Sequence, residues 1–211
     1  MSAATDPEVV EAIAAQLQGQ AINAVHIGIF DIDSRFRLKR VPTDKFLKLL
    51  AHGYEFCKVL YNWDVAEVPY RQGDWADVPS PIDPNTGRIF PFADGEAVFI
   101  ADFAGEVGKL SPRGLLKEQL AKAAEMGLTV TAGFEYEYFL LEETPASVRA
   151  KDYNNLVSWQ PGNHTYSMVP AIAHEFFAGL EATLSPLGIK FDSIHTEQGP
   201  GCVETPLKPA E

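Results

Sequence analysis

Cysteine is nearly missing from this sequence. Cys57 and Cys202 are the only two, far apart and in no C-x-x-C arrangement, which excludes a disulfide framework and gives no sign of a zinc site. No apolar run approaches the ~20 residues needed to span a bilayer. Met1-Ser2-Ala3-Ala4-Thr5-Asp6 has no basic stretch leading into an apolar core, as a signal peptide would. Cytoplasm is therefore the expected compartment, with no membrane partner. Cations are scarce as well: 17 Lys and Arg against 29 Asp and Glu leave a formal net charge of −12. A surface of that sign repels nucleic acid and anionic lipid. The single short basic run, Arg35-Phe36-Arg37-Leu38-Lys39-Arg40, alternates with apolar residues as the solvated face of a strand does. Internal repeats and low-complexity tracts are absent too. What is present is ordinary globular text, 46% hydrophobic and 22% charged over 211 residues, enough for one large or two small domains.

In chain order, Asp6-Pro7 with Val9, Ile13 and Leu17 predicts a capped amphipathic helix ended by Gly19. Alternating β-branched residues over 22–32, a turn at Asp33-Ser34 and the run Phe36–Val41 predict a hairpin. A short helix follows Pro42-Thr43-Asp44 and closes at Gly53, then a strand over Tyr54–Leu60. From Asn62 to Gly95 the turn residues Pro, Gly and Asp mix with Trp63 and Trp75, which predicts an ordered functional loop. Strands are expected at Arg88–Phe92 and Ala97–Asp102. Ser111-Pro112 starts a helix with Leu116, Leu120 and Ala124 on one stripe, closed by Gly127. A strand over Leu128–Leu141 comes next, then loop over Pro145–Thr165, including Pro161-Gly162-Asn163-His164. A helix over 169–184 with Ile172, Phe176, Leu180 and Leu184 inward precedes a last strand over Ile189–Glu197.

Two stretches carry the chemistry. Gly133-Phe134-Glu135-Tyr136-Glu137-Tyr138-Phe139-Leu140 alternates as a strand, so Glu135 and Glu137 share one face and Phe134, Tyr136 and Tyr138 the other. Two carboxylates on an otherwise apolar strand are costly to bury without a positive partner. His195-Thr196-Glu197-Gln198-Gly199-Pro200-Gly201-Cys202-Val203-Glu204 brings Glu197 and Glu204. Four carboxylates suit a hard divalent cation, Mg²⁺ or Mn²⁺. His195, two residues before Glu197, reads either as a partner that orients it or as a partly buried histidine. Cys202 reads as a packing residue.

The motifs G-x-E-x-E-x-F-L and H-x-E-x-G-P-G-x-x-E, in that order, resemble those of the glutamine synthetase family and its relatives that glutamylate other amines. The resemblance runs from about residue 20 onward. It implies an α+β fold: a β-grasp-like domain over 1–107 and, over 108–211, the first part of a catalytic domain with an antiparallel sheet and flanking helices. It implies an ATP-dependent ligase that phosphorylates glutamate on its γ-carboxylate and lets ammonia or a larger amine displace the phosphate. Residue by residue it implies Glu135 at the ion nearer the nucleotide, Glu137 and Glu197 at a second ion, Glu204 near both, and Asp192 near the nucleotide. The loop that carries Asp-Gly-Ser-Ser in glutamine synthetases reads Tyr61-Asn62-Trp63-Asp64-Val65-Ala66-Glu67 here, which makes Asp64 the candidate to deprotonate the amine. That departure favours an amine larger than ammonia, and Trp63 and Trp75 read either as lining its pocket or as aromatics that pin the loop down. The resemblance also implies a ring-shaped homo-oligomer. The family's later Asn-x-x-Gly-Ser-Gly-x-His segment, flap glutamate and substrate arginines have no counterpart in these 211 residues. The expectation is accordingly an incomplete ligase, inactive by itself, or a non-catalytic homologue that partners synthetase subunits.

Overall fold

The computed structural model describes residues 5–73, 75–160 and 164–210. The chain forms two compact units, Met1–Leu128 and Thr129–Glu211. The sequence boundary at 107/108 falls before helix α4 (Pro112–Glu125), which clusters with the first unit. Its Arg113 reaches Asp83 and Asp102, and Lys117 lies 3.1 Å from both carboxylates, so side chains tie α4 to the sheet that precedes it.

In the first unit, helix α1 (Pro7–Gly19) starts where Asp6 Oδ1 accepts the Glu8 N–H at 2.9 Å. Strands β1 (Ala24–Phe30), β2 (Phe36–Pro42), β5 (Arg88–Ile89) and β6 (Glu96–Ile100) form a sheet in the order β2-β1-β6-β5. The β1–β6 pair is parallel and the other two are antiparallel. Helix α2 (Thr43–His52) puts Phe46 and Leu50 into a core built with Ile13, Leu17, Val25 and Ile27. Strands β3 (Tyr54–Cys57) and β4 (Asp77–Ser80) pair separately. The strand expected over Tyr54–Leu60 ends at Cys57, because Lys58–Tyr61 winds into a 3-10 turn. Strand β4 lies inside the stretch read as loop, where Pro79 hides it from a propensity argument. The short helix α3 (Gly105–Gly108) completes the unit.

Three cations of the basic run, Arg37, Lys39 and Arg40, meet carboxylates or aromatic rings. Arg37 and Lys39 sit opposite Ile29 and Ile27, on the core side of the edge strand β2. Lys39 Nζ lies 4.9 and 4.8 Å from the rings of Tyr54 and Phe56, and Arg40 donates twice to Glu96. Alternation alone did not show that long cationic side chains bend back over aromatic neighbours.

The Asp83 anchor makes stability depend on pH. Burial raises its carboxyl pKa, but Arg113 and Lys117 outweigh that and hold it at about 2, against 3.8 ordinarily. A pKa lowered in the folded state contributes stability above the unfolded value and loses it as pH falls through the folded one. The urea midpoint is therefore expected to drop between pH 4 and pH 2, and to drop less in Arg113→Met. Equal drops in the two proteins would refute this.

The second unit holds β7 (Glu135–Phe139), α5 (Pro145–Ala150), α6 (Val169–Ile172), α7 (His174–Leu184), β8 (His195–Thr196) and β9 (Cys202–Pro206). The sheet order is β7-β9-β8, antiparallel throughout. The helix expected over 169–184 breaks at Ala173. That break resets the helical phase: Ile172 is 73% exposed, while Phe177 is buried against Val169 and Val203. Strands expected over Leu128–Leu141 and Ile189–Glu197 shrink to β7 and β8. Residues 161–163 of the predicted loop lie outside the described residues. No helix among the described residues is long and apolar enough to cross a membrane.

Candidate metal centre

The three-stranded sheet has two unlike faces. Tyr136 pairs with Thr205 and Tyr138 with Val203, and the Tyr138 hydroxyl meets Thr205 Oγ1 at 3.0 Å. On the other face Glu135 is opposite Pro206, Glu137 opposite Glu204, and Glu204 opposite His195. Glu137, Glu204 and His195 thus form one row across three strands.

Two glycines make that row. Gly199 and Gly201 have φ of 110° and 83°, a region side-chain-bearing residues avoid. A Cβ on Gly201 would come within 2.5 Å of the Leu140 carbonyl oxygen and 2.7 Å of Ser158 Oγ. The turn closes by a Cys202 N–H donated to the Gly199 oxygen and a Glu197 N–H donated to the Cys202 oxygen, both at 3.1 Å. Strand β9 then returns beside β8 with Glu204 facing the row.

Ligand atoms of His195, Glu197 and Glu204 all lie within 4.8 Å of one another. His195 Nε2 is 3.1 Å from Glu204 Oε2 and 3.3 Å from Glu197 Oε1. Glu204 is only 8% exposed. Ser193 Oγ lies 3.3 Å from His195 Nδ1, and the Tyr166 ring packs on the imidazole with centroids 5.1 Å apart. A proton on Nδ1 donated to Ser193 leaves Nε2 as a lone-pair donor among the carboxylates. One nitrogen and several carboxylate oxygens, with two glutamates opposed across strands, are a donor set that fits a divalent cation. His195 therefore sits among the ligand candidates rather than behind them. Ser193 and Tyr166 escaped the sequence reading, because only the fold brings them to the ring.

The remaining candidates lie elsewhere. Glu135 is exposed, two residues along the same face of β7. Asp192 is exposed on a bend, its N–H donated to the Pro206 oxygen at 2.8 Å, and is not part of the three-residue cluster. Burial, and then the charges of Glu137, Glu197 and Glu204, push the Cys202 thiol above its ordinary pKa, which disfavours a thiolate nucleophile. Asp64 belongs to the first unit and shapes its own loop. Its Oδ1 accepts the N–H of Ala66 at 2.8 Å and of Val68 at 3.0 Å.

Residues 109–211 match the family described as glutamine synthetase, catalytic domain. The chain is 28% identical over 199 residues to glutamate–isopropylamine ligase from Pseudomonas sp, covering 89% of this chain and 43% of the relative. It is 28% identical over 194 residues to type-1 glutamine synthetase 2 of Dictyostelium discoideum, covering 87% and 37%. Gamma-glutamylethanolamide synthetase GlnA4 of Streptomyces coelicolor is 28% identical over 209 residues, covering 93% and 45%. The chain thus spans less than half the length of these relatives. The solved structure of GmaS with ADP shares the fold, with a TM-score of 0.75 at 21% identity over 94% of this chain and 44% of that one. In its motifs, its fold and these likenesses the chain is similar to the glutamine synthetase family, and residues 109–211 match that family's catalytic domain.

Proposed function

We propose that this chain carries the cation-holding portion of an ATP-dependent glutamate–amine ligase. The observation behind it is the row in which Glu137 faces Glu204 and Glu204 faces His195, with Glu197 beside them. Like charges opposed on neighbouring strands destabilise a sheet, and a bound Mg²⁺ or Mn²⁺ relieves them. The imidazole shifts the preference toward Mn²⁺.

Such ions, when bound, neutralise the anions that meet as ATP phosphorylates the γ-carboxylate of glutamate. The chain's residues divide the remaining work. Glu137, Glu197, Glu204 and His195 hold one ion, and Ser193 keeps the His195 lone pair turned toward it. Glu135 serves a second ion, and Asp192 lies by the nucleotide. Asp64 takes the proton of the amine as nitrogen displaces phosphate from γ-glutamyl phosphate. Trp63 and Val65 stand where glutamine synthetases carry a polar loop, which favours an alkylamine over ammonia, as the names of the isopropylamine and ethanolamide relatives suggest. The assembly is a ring in which the Asp64 loop of one subunit serves the site of the next.

Phosphate release from ATP by an intact ligase that contains these residues tests the reading, with glutamate constant and isopropylamine, ethanolamine or ammonia varied, in Mn²⁺ or in chelator. Release is expected to require glutamate, amine and cation together. An alkylamine is expected to exceed ammonia in kcat/KM by about tenfold, the discrimination an apolar pocket supplies. Release indifferent to glutamate, or none with any amine, would defeat it.

A further inference from the structure

We propose that Arg37 is a positioning residue that clamps the Asp64 loop from strand β2 and so sets where the Asp64 carboxylate meets the amine. The proposal rests on the ligase reading for Asp64, while the clamp itself rests on geometry within one unit.

The loop is a small hairpin. Tyr70 N–H donates to the Asn62 oxygen at 2.8 Å, Trp63 bridges Pro69, and Asp64 N–H donates to the Val68 oxygen at 3.0 Å. At its tip Glu67 has a φ of 64°, a conformation a glutamate holds only when its surroundings impose it. Arg37 supplies that constraint from three sides. Its Nε donates to Asp31 Oδ2 at 2.7 Å, its Nη1 donates to Glu67 Oε1 at 2.5 Å, and its guanidinium lies 5.2 Å from the centroid of the Trp63 ring.

Asp31 is a fixed anchor. It is fully buried at the end of β1, and its Oδ1 accepts the N–H groups of Asp33 and Arg35 at 3.0 and 2.9 Å. Burial raises its pKa, but Arg37 and the two backbone donors outweigh that and leave it lowered, so the anchor stays charged. A planar fork that bridges two carboxylates and stacks on an indole is a geometry lysine cannot reproduce. Arg37 Nη2 and Trp63 Nε1 are buried and meet no hydrogen-bond partner among the described residues. Orphaned donors cost stability. The cluster is therefore arranged for placement of the loop, with Trp63 and Glu67 flanking Asp64 on either side.

Two variants of the intact protein test it, Arg37→Met and Glu67→Gln, the second breaking only the loop end of the clamp. Amide hydrogen exchange reads the clamp without turnover. Arg37→Met is expected to speed exchange at Ala66 and Val68 by about tenfold with the β1–β2 ladder unchanged, and Glu67→Gln by about threefold, in line with the loss of charged hydrogen bonds. Amine kinetics read the consequence: KM for the amine is expected to rise by about tenfold in Arg37→Met, with KM for ATP and glutamate within about twofold, and Arg37→Lys is expected not to restore it. Unchanged exchange in both variants overturns the clamp. Faster exchange with unchanged amine KM overturns its catalytic purpose. If the wild type shows no amine-dependent turnover, the ligase reading for Asp64 fails, and exchange alone still decides whether the clamp exists.

Discussion

Glu204→Gln is expected to lower the affinity of the protein for Mn²⁺ by about 100-fold, at least the upper end of what losing a ligand's supporting partner costs. Glu204 is the hub of the row, with Glu137 opposite on one side and His195 on the other, and it is nearly buried in β9. Glutamine keeps the shape and can still hydrogen-bond to His195, so the sheet survives while the charge disappears. Titration followed by the electron paramagnetic resonance of free Mn²⁺ reads the affinity, and a urea midpoint checks the fold. Glu181→Gln, exposed on α7, is the control. Equal affinity in the Glu204 variant and the control would sink the metal assignment.

Phe46→Ala should cost the first unit about 3–5 kcal/mol, the usual loss for emptying a buried phenylalanine site. Phe46 is fully buried, its ring 4.6 Å from that of Phe99 on β6, and it is one of the two buried side chains of α2, with Leu50. Domains are stable by only about 5–15 kcal/mol, so the variant should unfold at much lower urea. Leu116→Ala is the contrast. It lies 56% exposed on α4 and should change stability by less than about 0.5 kcal/mol. A larger loss at Leu116 than at Phe46 would overturn this picture of the core.

The Leu116 contrast marks what a sequence reveals. Local chemistry was legible: the Asp6 and Ser111 caps, each followed by proline, start helices where expected. The two carboxylate motifs were legible because their spacing serves chemistry, and the register set Glu137 against Glu204. Features that depend on what covers a surface were not. Leu116 and Leu120 form a stripe on α4, yet no residue of that helix is buried. The break at Ala173 moved burial from Phe176 to Phe177. Helix α5 did leave a local signal, because Thr144 and Ser147 exchange the hydrogen bonds of a capping box, with serine in place of the usual glutamate. Ser193 and Tyr166 leave none, since each gains meaning only from the ring it touches.

The two-faced strand β7 has an evolutionary corollary. Glutamates and tyrosines alternate along it, so deleting or inserting one residue within Glu135–Phe139 would exchange the faces, setting tyrosine rings in the acidic row and carboxylates over the apolar pocket beside Leu180 and Leu184. Length changes should therefore be confined to the segments between strands, where the long excursion from Leu141 to Ile194 can absorb them without disturbing the pairing. Through that alternation a frame error in five residues would damage core and chemistry at one stroke, and lineages carrying one would be lost whichever property selection happened to see.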